Sequence, residues 1–315
     1  MNPDEKTDRS QSKLVLEGVP PKRPWWVRLL KFAAWATLTG ATAAVIAVAG
    51  VYYHFSQGLP EIPRVDQYWP PIVTEVYTDD AVLAGEFYHH RRKVVPYERI
   101  PKRLVQAFIA SEDSSFFDHH GVDVLGTARA ASKTIRKKLG LGGSVQGGST
   151  LTQQTAKAVL IAAEGYESAT AKNLTRKIRE AILARRLEEA LTKEEILYLY
   201  LNNVFLGHHS YGVQSAAENY YRKDVRDLTL GEMTLIAGLP QAPSRYSPFK
   251  KPEAAKKRRS YVLRRMFDEG MITAEERAQA VAEPVNVYPV EDVFHEFAPF
   301  FTEQVRRDVV ERYSN

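Results

Sequence analysis

Two carboxylates arrive where an apolar helical run ends. Glu112 and Asp113 follow Leu104, Val105, Phe108 and Ile109, whose three- and four-residue spacing marks one helix face. Aromatic residues come next, then His119 and Gly121, so the pair stands at a helix terminus beside an apolar wall. Burial against such a wall disfavours the charged form, raises a carboxyl pKa and suits the group to act as a base near neutrality. A solvated helix cap has the same local pattern, and the pair alone does not separate the two readings.

A second group follows. Ser149 and Thr150 precede a helical stretch on which Gln153, Gln154 and Lys157 recur three or four residues apart, sharing a face. They present two amides and an ammonium at a helix start, where unpaired backbone N–H groups favour anions. Arg176 and Glu180 are four apart with Lys177 alongside, which in isolation reads as a surface ion pair worth about 0.3–0.5 kcal/mol. Lys256-Lys257-Arg258-Arg259 and Arg264-Arg265 interleave with Tyr261, Val262, Leu263 and Met266, so that helix carries a solvated basic face and a core face.

Other chemistries find little support. Adjacent His119 and His120 point apart on a helix and have no His-x-x-x-His partner, so a structural hydrogen bond suits His119 better than a metal. Ser-x-x-Lys at Ser10–Lys13 and Ser247–Lys250 lacks the companion motifs of an acyl-serine enzyme. There is no phosphate-binding Gly-x-x-x-x-Gly-Lys-Ser/Thr element. With no cysteine, thiolate zinc sites, disulfides and cysteine nucleophiles are excluded.

The elements that must position these residues are mostly helical. Helices are expected over Val122–Leu139, from Ser149 or Thr150 onward, and over Asn173–Ala190. Thr150 with Gln153, Thr192 with Glu195, Thr229 with Glu232 and Thr273 with Glu276 have capping-box spacing. Gly140 to Gly148 is glycine-rich enough to be a mobile loop. Ile72–Tyr77 and Val82–Tyr88 alternate across Asp79-Asp80 as a β-hairpin does, and residues 285–290 alternate again as a strand. Residues 1–24 are polar and expected to be disordered, and prolines at 60, 63, 70 and 71 mark a linker. From Phe32 to Tyr53 no residue is charged, long enough for a bilayer-spanning helix, with Trp25, Trp26, Trp35, Tyr52 and Tyr53 near its ends. Arg28 and Lys31 place the N-terminus in the cytoplasm, and without an Ala-x-Ala site the segment reads as a retained anchor, not a cleaved signal.

The chain has 315 residues, 44% of them hydrophobic, enough for a full core. Its net charge of +5 suits an acidic partner such as phosphate groups or an anionic membrane. A nucleic-acid role is disfavoured, because the basic clusters lie beyond the anchor and lack a reading motif.

Taken in order, the pieces resemble a known family. Glu112-Asp113-x-x-Phe116-x-x-His119-x-Gly121, Gly148-Ser149-Thr150-Leu151-Thr152-Gln153-Gln154-x-x-Lys157 and Arg176-Lys177-x-x-Glu180 come first. Lys193-x-x-Ile196-Leu197-x-x-Tyr200-Leu201-Asn202 and Arg258-Arg259-x-x-Val262-Leu263 complete the series. Together they look like the five motifs of the peptidoglycan glycosyltransferases (glycosyltransferase family 51): the monofunctional transglycosylases and the N-terminal half of class A penicillin-binding proteins. The resemblance implies a mainly α fold: a lysozyme-like helical lobe, a small membrane-proximal jaw bearing a β-hairpin, and one N-terminal transmembrane helix. The implied activity is polymerisation of lipid II, with inversion and release of undecaprenyl pyrophosphate, on the outer face of the cytoplasmic membrane.

By family position Glu112 is the catalytic base and Glu180 orients substrate or holds a divalent metal (Mg or Mn); no organic cofactor is implied. Arg129, Lys157 and Arg176 match pyrophosphate contacts, with Lys172 as another, and Ser149, Thr150, Gln153, Gln154 and Lys177 are expected on substrate. Asp113, Phe116, His119, Gly121, Asn202, Arg258 and Arg259 are expected to hold the motifs together. The implied partners are lipid II, the growing glycan on its lipid carrier, membrane lipids and other cell-wall synthesis proteins. The division expected is a tail (1–31), membrane helix (32–55), linker with the small β element (56–100), catalytic domain (101–283) and extension (284–315). His295 to Arg307 resembles the segment leading toward a transpeptidase domain, so the chain reads as cut short of one, or as a monofunctional enzyme with an unusual tail. Two rivals remain open: a lysozyme-like lytic enzyme, and a membrane-anchored scaffold without catalysis.

Overall fold

Four helices open on the same device. Thr150, Thr192, Thr229 and Thr273 each accept a hydrogen bond from the backbone N–H three residues on, while the Gln or Glu there accepts from the threonine's own N–H. Two of the donors orphaned at a helix start are thereby satisfied in each case, and the chain's direction is fixed at each entry.

The computed structural model describes residues 24–62, 74–77, 79–80, 83–87, 91–138, 140, 148–165, 174–288 and 299–313. The expected disordered tail, most of the proline linker and of the glycine-rich loop, and Lys172 lie outside the described residues. The chain divides into two units, residues 1–54 and 55–315.

Helix α1, Trp25–Ser56, makes up the described part of the first unit and runs two residues into the second. It buries no residue and is long and apolar enough to cross a membrane. Thr37 and Thr42 donate their hydroxyls to the carbonyls of Ala33 and Leu38, so these polar groups need no external partner.

In the second unit, β1 (Thr74–Tyr77) and β2 (Leu83–Phe87) form the expected antiparallel hairpin, with a register shift at Val76/Tyr77. The helices follow: α2 Lys102–Glu112, α3 Val124–Lys138, α4 Leu151–Glu164, α5 Leu174–Ala190 and α6 Lys193–Asn203. Next come α7 Val213–Tyr221, α8 Leu230–Gly238, α9 Pro252–Asp268, α10 Ala274–Ala282 and α11 Pro299–Tyr313. A second, parallel pair that periodicity did not suggest joins β3 (Arg91–Arg92) to β4 (Ser210–Tyr211).

The main core is built where α2, α6, α7, α8 and α9 meet, with Leu104, Phe108, Ile196, Leu201, Tyr220, Ile236 and Leu263 fully buried. A smaller cluster, Ala156, Leu160, Leu183 and Leu187, binds α4 to α5. The expected strand at 285–290 is not formed over 285–288. No strand pairs with it among the described residues; Tyr288 N–H donates to the Tyr220 carbonyl, and Arg222 lies over the Tyr288 ring.

Candidate active site

Glu112 is the last residue of α2 and its side chain is 13% exposed. One carboxylate oxygen accepts from the Arg258 guanidinium of α9 and the other from the Gln154 amide of α4, each at 3.2 Å. Burial pushes its pKa up, against the lowering effects of Arg258 and the Gln154 bond, and neighbouring Asp113 adds a smaller upward push. A raised pKa is the condition under which a carboxyl can take up a proton near neutrality.

Asp113 faces the other way. Its buried carboxylate accepts from the Leu151 N–H at 2.9 Å, the first turn of α4, and meets His119 Nε2 at 3.0 Å. An anion at that helix start satisfies an orphan donor and complements the dipole. One residue thus fixes the end of α2 against the start of α4, and with it Glu112 against Gln154. Gly121 completes the joint. At φ +91° a Cβ there would lie 2.7 Å from the Ala184 carbonyl of α5, and its own carbonyl accepts from the Thr150 hydroxyl at 2.6 Å. Phe116 is fully buried, and Lys193 stands 4.4 Å above its ring while donating to the His119 carbonyl.

A cleft of about 2120 Å³ runs between α4 and α5 on one side and α2, α6 and α9 on the other. Glu112, Ser149, Gln153, Gln154, Lys157, Arg176, Lys177, Glu180 and Arg258 all line it. Glu180 is 2% exposed, with Arg176 Nη1 at 3.1 Å from one oxygen and Lys177 Nζ at 2.9 Å from the other. Lys177 also donates to Ser149 Oγ at 2.8 Å, tying α5 to the start of α4. The isolated sequence pair had suggested an exposed contact. Instead, Glu180 is a buried anchor that aims two cations along the wall. Lys157 lines the cleft and has no ion-pair or hydrogen-bond partner among the described residues.

Some expected site residues stand elsewhere. Arg129 does not line the cleft: its side chain is 73% exposed, with Nη2 3.9 Å from Asp123 and Nε donating to the Leu125 carbonyl. Thr150 and Gln153, expected on substrate, close the capping box of α4 on each other; the Thr150 hydroxyl also donates to the Gly121 carbonyl, while Gln153 still lines the cleft. Asn202 and Arg259 hold backbone: Asn202 bonds both N–H and C=O of Val95, and Arg259 donates to the carbonyls of Val281 and Glu283.

Arg258, expected to hold a motif together, lies in the cleft against the base. Tyr200, which is buried with its phenol pKa raised by burial and by the nearby Glu112 and Asp113, reaches Gln154 at 3.4 Å. Nothing in the spacing of Arg258 or Tyr200 pointed to the base, because each meets it only through the fold. Glu180, with a cation against each oxygen, is a poor fit for a divalent metal as it stands, and no cluster of three or more potential ligands occurs among the described residues.

A buried carboxyl with a raised pKa and several cations line one cleft. A model of the transglycosylase family matches residues 80–267, more than half of the chain, and the chain belongs to that family. It is 37% identical over 290 residues to penicillin-binding protein 1A of Pseudomonas aeruginosa, covering 92% of this chain and 34% of that protein. With penicillin-binding protein 1A of Escherichia coli it shares 40% over 267 residues, 84% of this chain and 30% of the relative. A crystal structure of penicillin-binding protein 1A from Haemophilus influenzae aligns over 78% of this chain and 24% of its own, at 29% identity and a TM-score of 0.44. The chain spans about a third of the length of the curated relatives it matches.

Proposed function

We propose that the chain is a peptidoglycan glycosyltransferase module that polymerises lipid II into glycan strands for the cell wall. The observation that carries this reading is the single cleft shared by Glu112 with Lys157, Arg176 and Lys177. Glu112 takes the proton from the 4-hydroxyl of the acceptor sugar as that oxygen attacks the reducing-end carbon of the growing chain. The new C–O bond forms on the face opposite the lipid diphosphate, the old bond breaks, and its electron pair leaves with the diphosphate. The configuration inverts. Charge growing on the departing oxygens is met by Lys157 and by Arg176 and Lys177, which Glu180 holds in place. Fixed cations are worth more in a cleft than in water, since they need no reorganisation as the bond breaks.

Helix α1 serves as a single-pass anchor in the cytoplasmic membrane, with the basic N-terminal flank inside and the catalytic unit outside, where lipid-linked substrate is presented. A lytic enzyme acting on finished, neutral glycan would have no use for cations ranged opposite its acid.

The test is polymerisation of labelled lipid II by the purified chain, compared with Glu112→Gln. Long, moenomycin-sensitive glycan from the parent and none from a folded Glu112→Gln protein is the expected result. Polymer from Glu112→Gln refutes the base assignment, muropeptides released from finished wall support the lytic reading, and no product from either substrate supports the scaffold.

A further inference from the structure

The contact between Arg258 and Glu112 is not a surface ion pair. The two side chains are 8% and 13% exposed, and they come from α9 and α2, elements far apart in the chain. The guanidinium is fixed on three sides. Its Nε donates to the Gly238 carbonyl at 3.0 Å, and its carbon lies 4.7 Å from the Tyr261 ring centre and 5.7 Å from that of Tyr246. Gly238 makes the approach possible, since a Cβ there would come within 2.8 Å of Arg258 Cγ. Held over the Tyr261 and Tyr246 rings and tethered by Nε, the guanidinium turns its Nη2 to Glu112.

We propose that Arg258 is the positioning residue of the base: it keeps Glu112 ionised and turned into the cleft so that the carboxylate can accept the acceptor's proton. This rests on the proposed reading of Glu112. Arg258 does not itself exchange the proton, because a guanidinium stays charged throughout the working range. The other groups around Glu112 cannot take its place. Asp113 on its own element repels the charge, Gln154 from α4 is neutral, and Tyr200 from α6 is a buried phenol. Arg265 of α9 is turned toward Ser114, Glu269 and the Ala110 carbonyl, and α8 offers backbone carbonyls, Ala237 to Ser111 and Gly238 to Arg258 itself. Lys157 lines the same cleft but makes no bond to Glu112 and faces the ligand space.

The experiment uses the full chain in detergent, as parent, Arg258→Lys and Arg258→Gln. The Glu112 carboxyl is titrated by infrared difference against the same proteins carrying Glu112→Gln, and kcat/KM for labelled lipid II is followed against pH. Removing the cation favours the protonated acid. In Arg258→Gln the titration midpoint and the acidic limb should therefore both move up by one pH unit or more, a tenfold loss of activity on the limb. KM on the alkaline plateau should change less than about threefold, and Arg258→Lys should recover part of the shift. A midpoint that stays put, or activity lost equally at every pH, overturns the proposal. If Arg258→Gln does not fold, Arg258→Lys decides alone by whether its midpoint rises. The infrared titration needs no turnover, so a parent protein that makes no glycan would sink the base assignment while leaving this result readable.

Discussion

Replacing Asp113 by Asn should cost the fold more than any other isosteric change near the base. The carboxylate holds the Leu151 N–H at 2.9 Å and His119 Nε2 at 3.0 Å, in a site where Asp113 is only 8% exposed. An amide can still accept from Leu151, but its NH2 then faces the imidazole. If His119 keeps its proton on Nε2, two donors meet. If the proton moves to Nδ1, it lands on an atom that is buried without a hydrogen-bond partner. Either way one buried donor is left unpaired, at about 1–3 kcal/mol. Losing the negative charge at the start of α4 adds about 1 kcal/mol. A total of about 3 kcal/mol corresponds to a fall in Tm of about 6–12 °C for a unit of this size. Thermal unfolding followed by circular dichroism gives the number, with Asp118→Asn, an exposed carboxylate in the same turn, as the control. If Asp113→Asn melts within about 2 °C of that control, the joint between α2 and α4 does not rest on this carboxylate.

Three further outcomes are expected. Gly121→Ala combines positive φ with a 2.7 Å clash against backbone and should lower the urea midpoint by the equivalent of about 3 kcal/mol, whereas a neutral result would mean α5 yields easily there. His209 is exposed at φ +61°, so His209→Gly should raise Tm by about 2–4 °C by removing left-handed strain of about 1 kcal/mol. Glu112→Gln should be more stable than the parent at pH 7. The folded pKa of Glu112 is raised, so its ionisation opposes folding above that pKa and the penalty vanishes below the unfolded value of about 4.3. Melting curves from pH 4 to pH 8 should show the two proteins converging in acid, and a Glu112→Gln protein less stable at pH 7 would contradict the direction of the shift.

What was legible in the sequence was what neighbours in the chain decide. A capping box closes over three residues, and all four threonines that announced one form it. Helix extents came within a few residues for the same reason, and the hairpin was readable from alternation across Asp79-Asp80. The pairing of Arg91–Arg92 with Ser210–Tyr211 was not, since two residues carry no period and the partner strand is supplied by tertiary structure. The alternation at 285–288 misled because it records which side chains touch the body, not whether another strand lies alongside.

The site divides along the same line. Motif order, through the family resemblance, brought Glu112, Lys157, Arg176 and Glu180 together, and they do line one cleft. Spacing could not say which polar groups were already spent: Gln153 and Gln154 are adjacent, yet one closes a helix cap and the other reaches the base. Nor could it say that Arg258, one of a run of four basic residues, turns inward while Lys257 beside it stays exposed. That difference matters for the chemistry. A carboxyl buried enough to be a strong base in the cleft would lose its charge at neutral pH without a nearby cation, and a cation free in solvent would be screened too well to help. The fold resolves the conflict by bringing the cation with the wall that buries the acid. The guanidinium over Tyr261, tied to the Gly238 carbonyl, sets a counter-charge against one oxygen of the buried Glu112 carboxylate, with the Gln154 amide on the other.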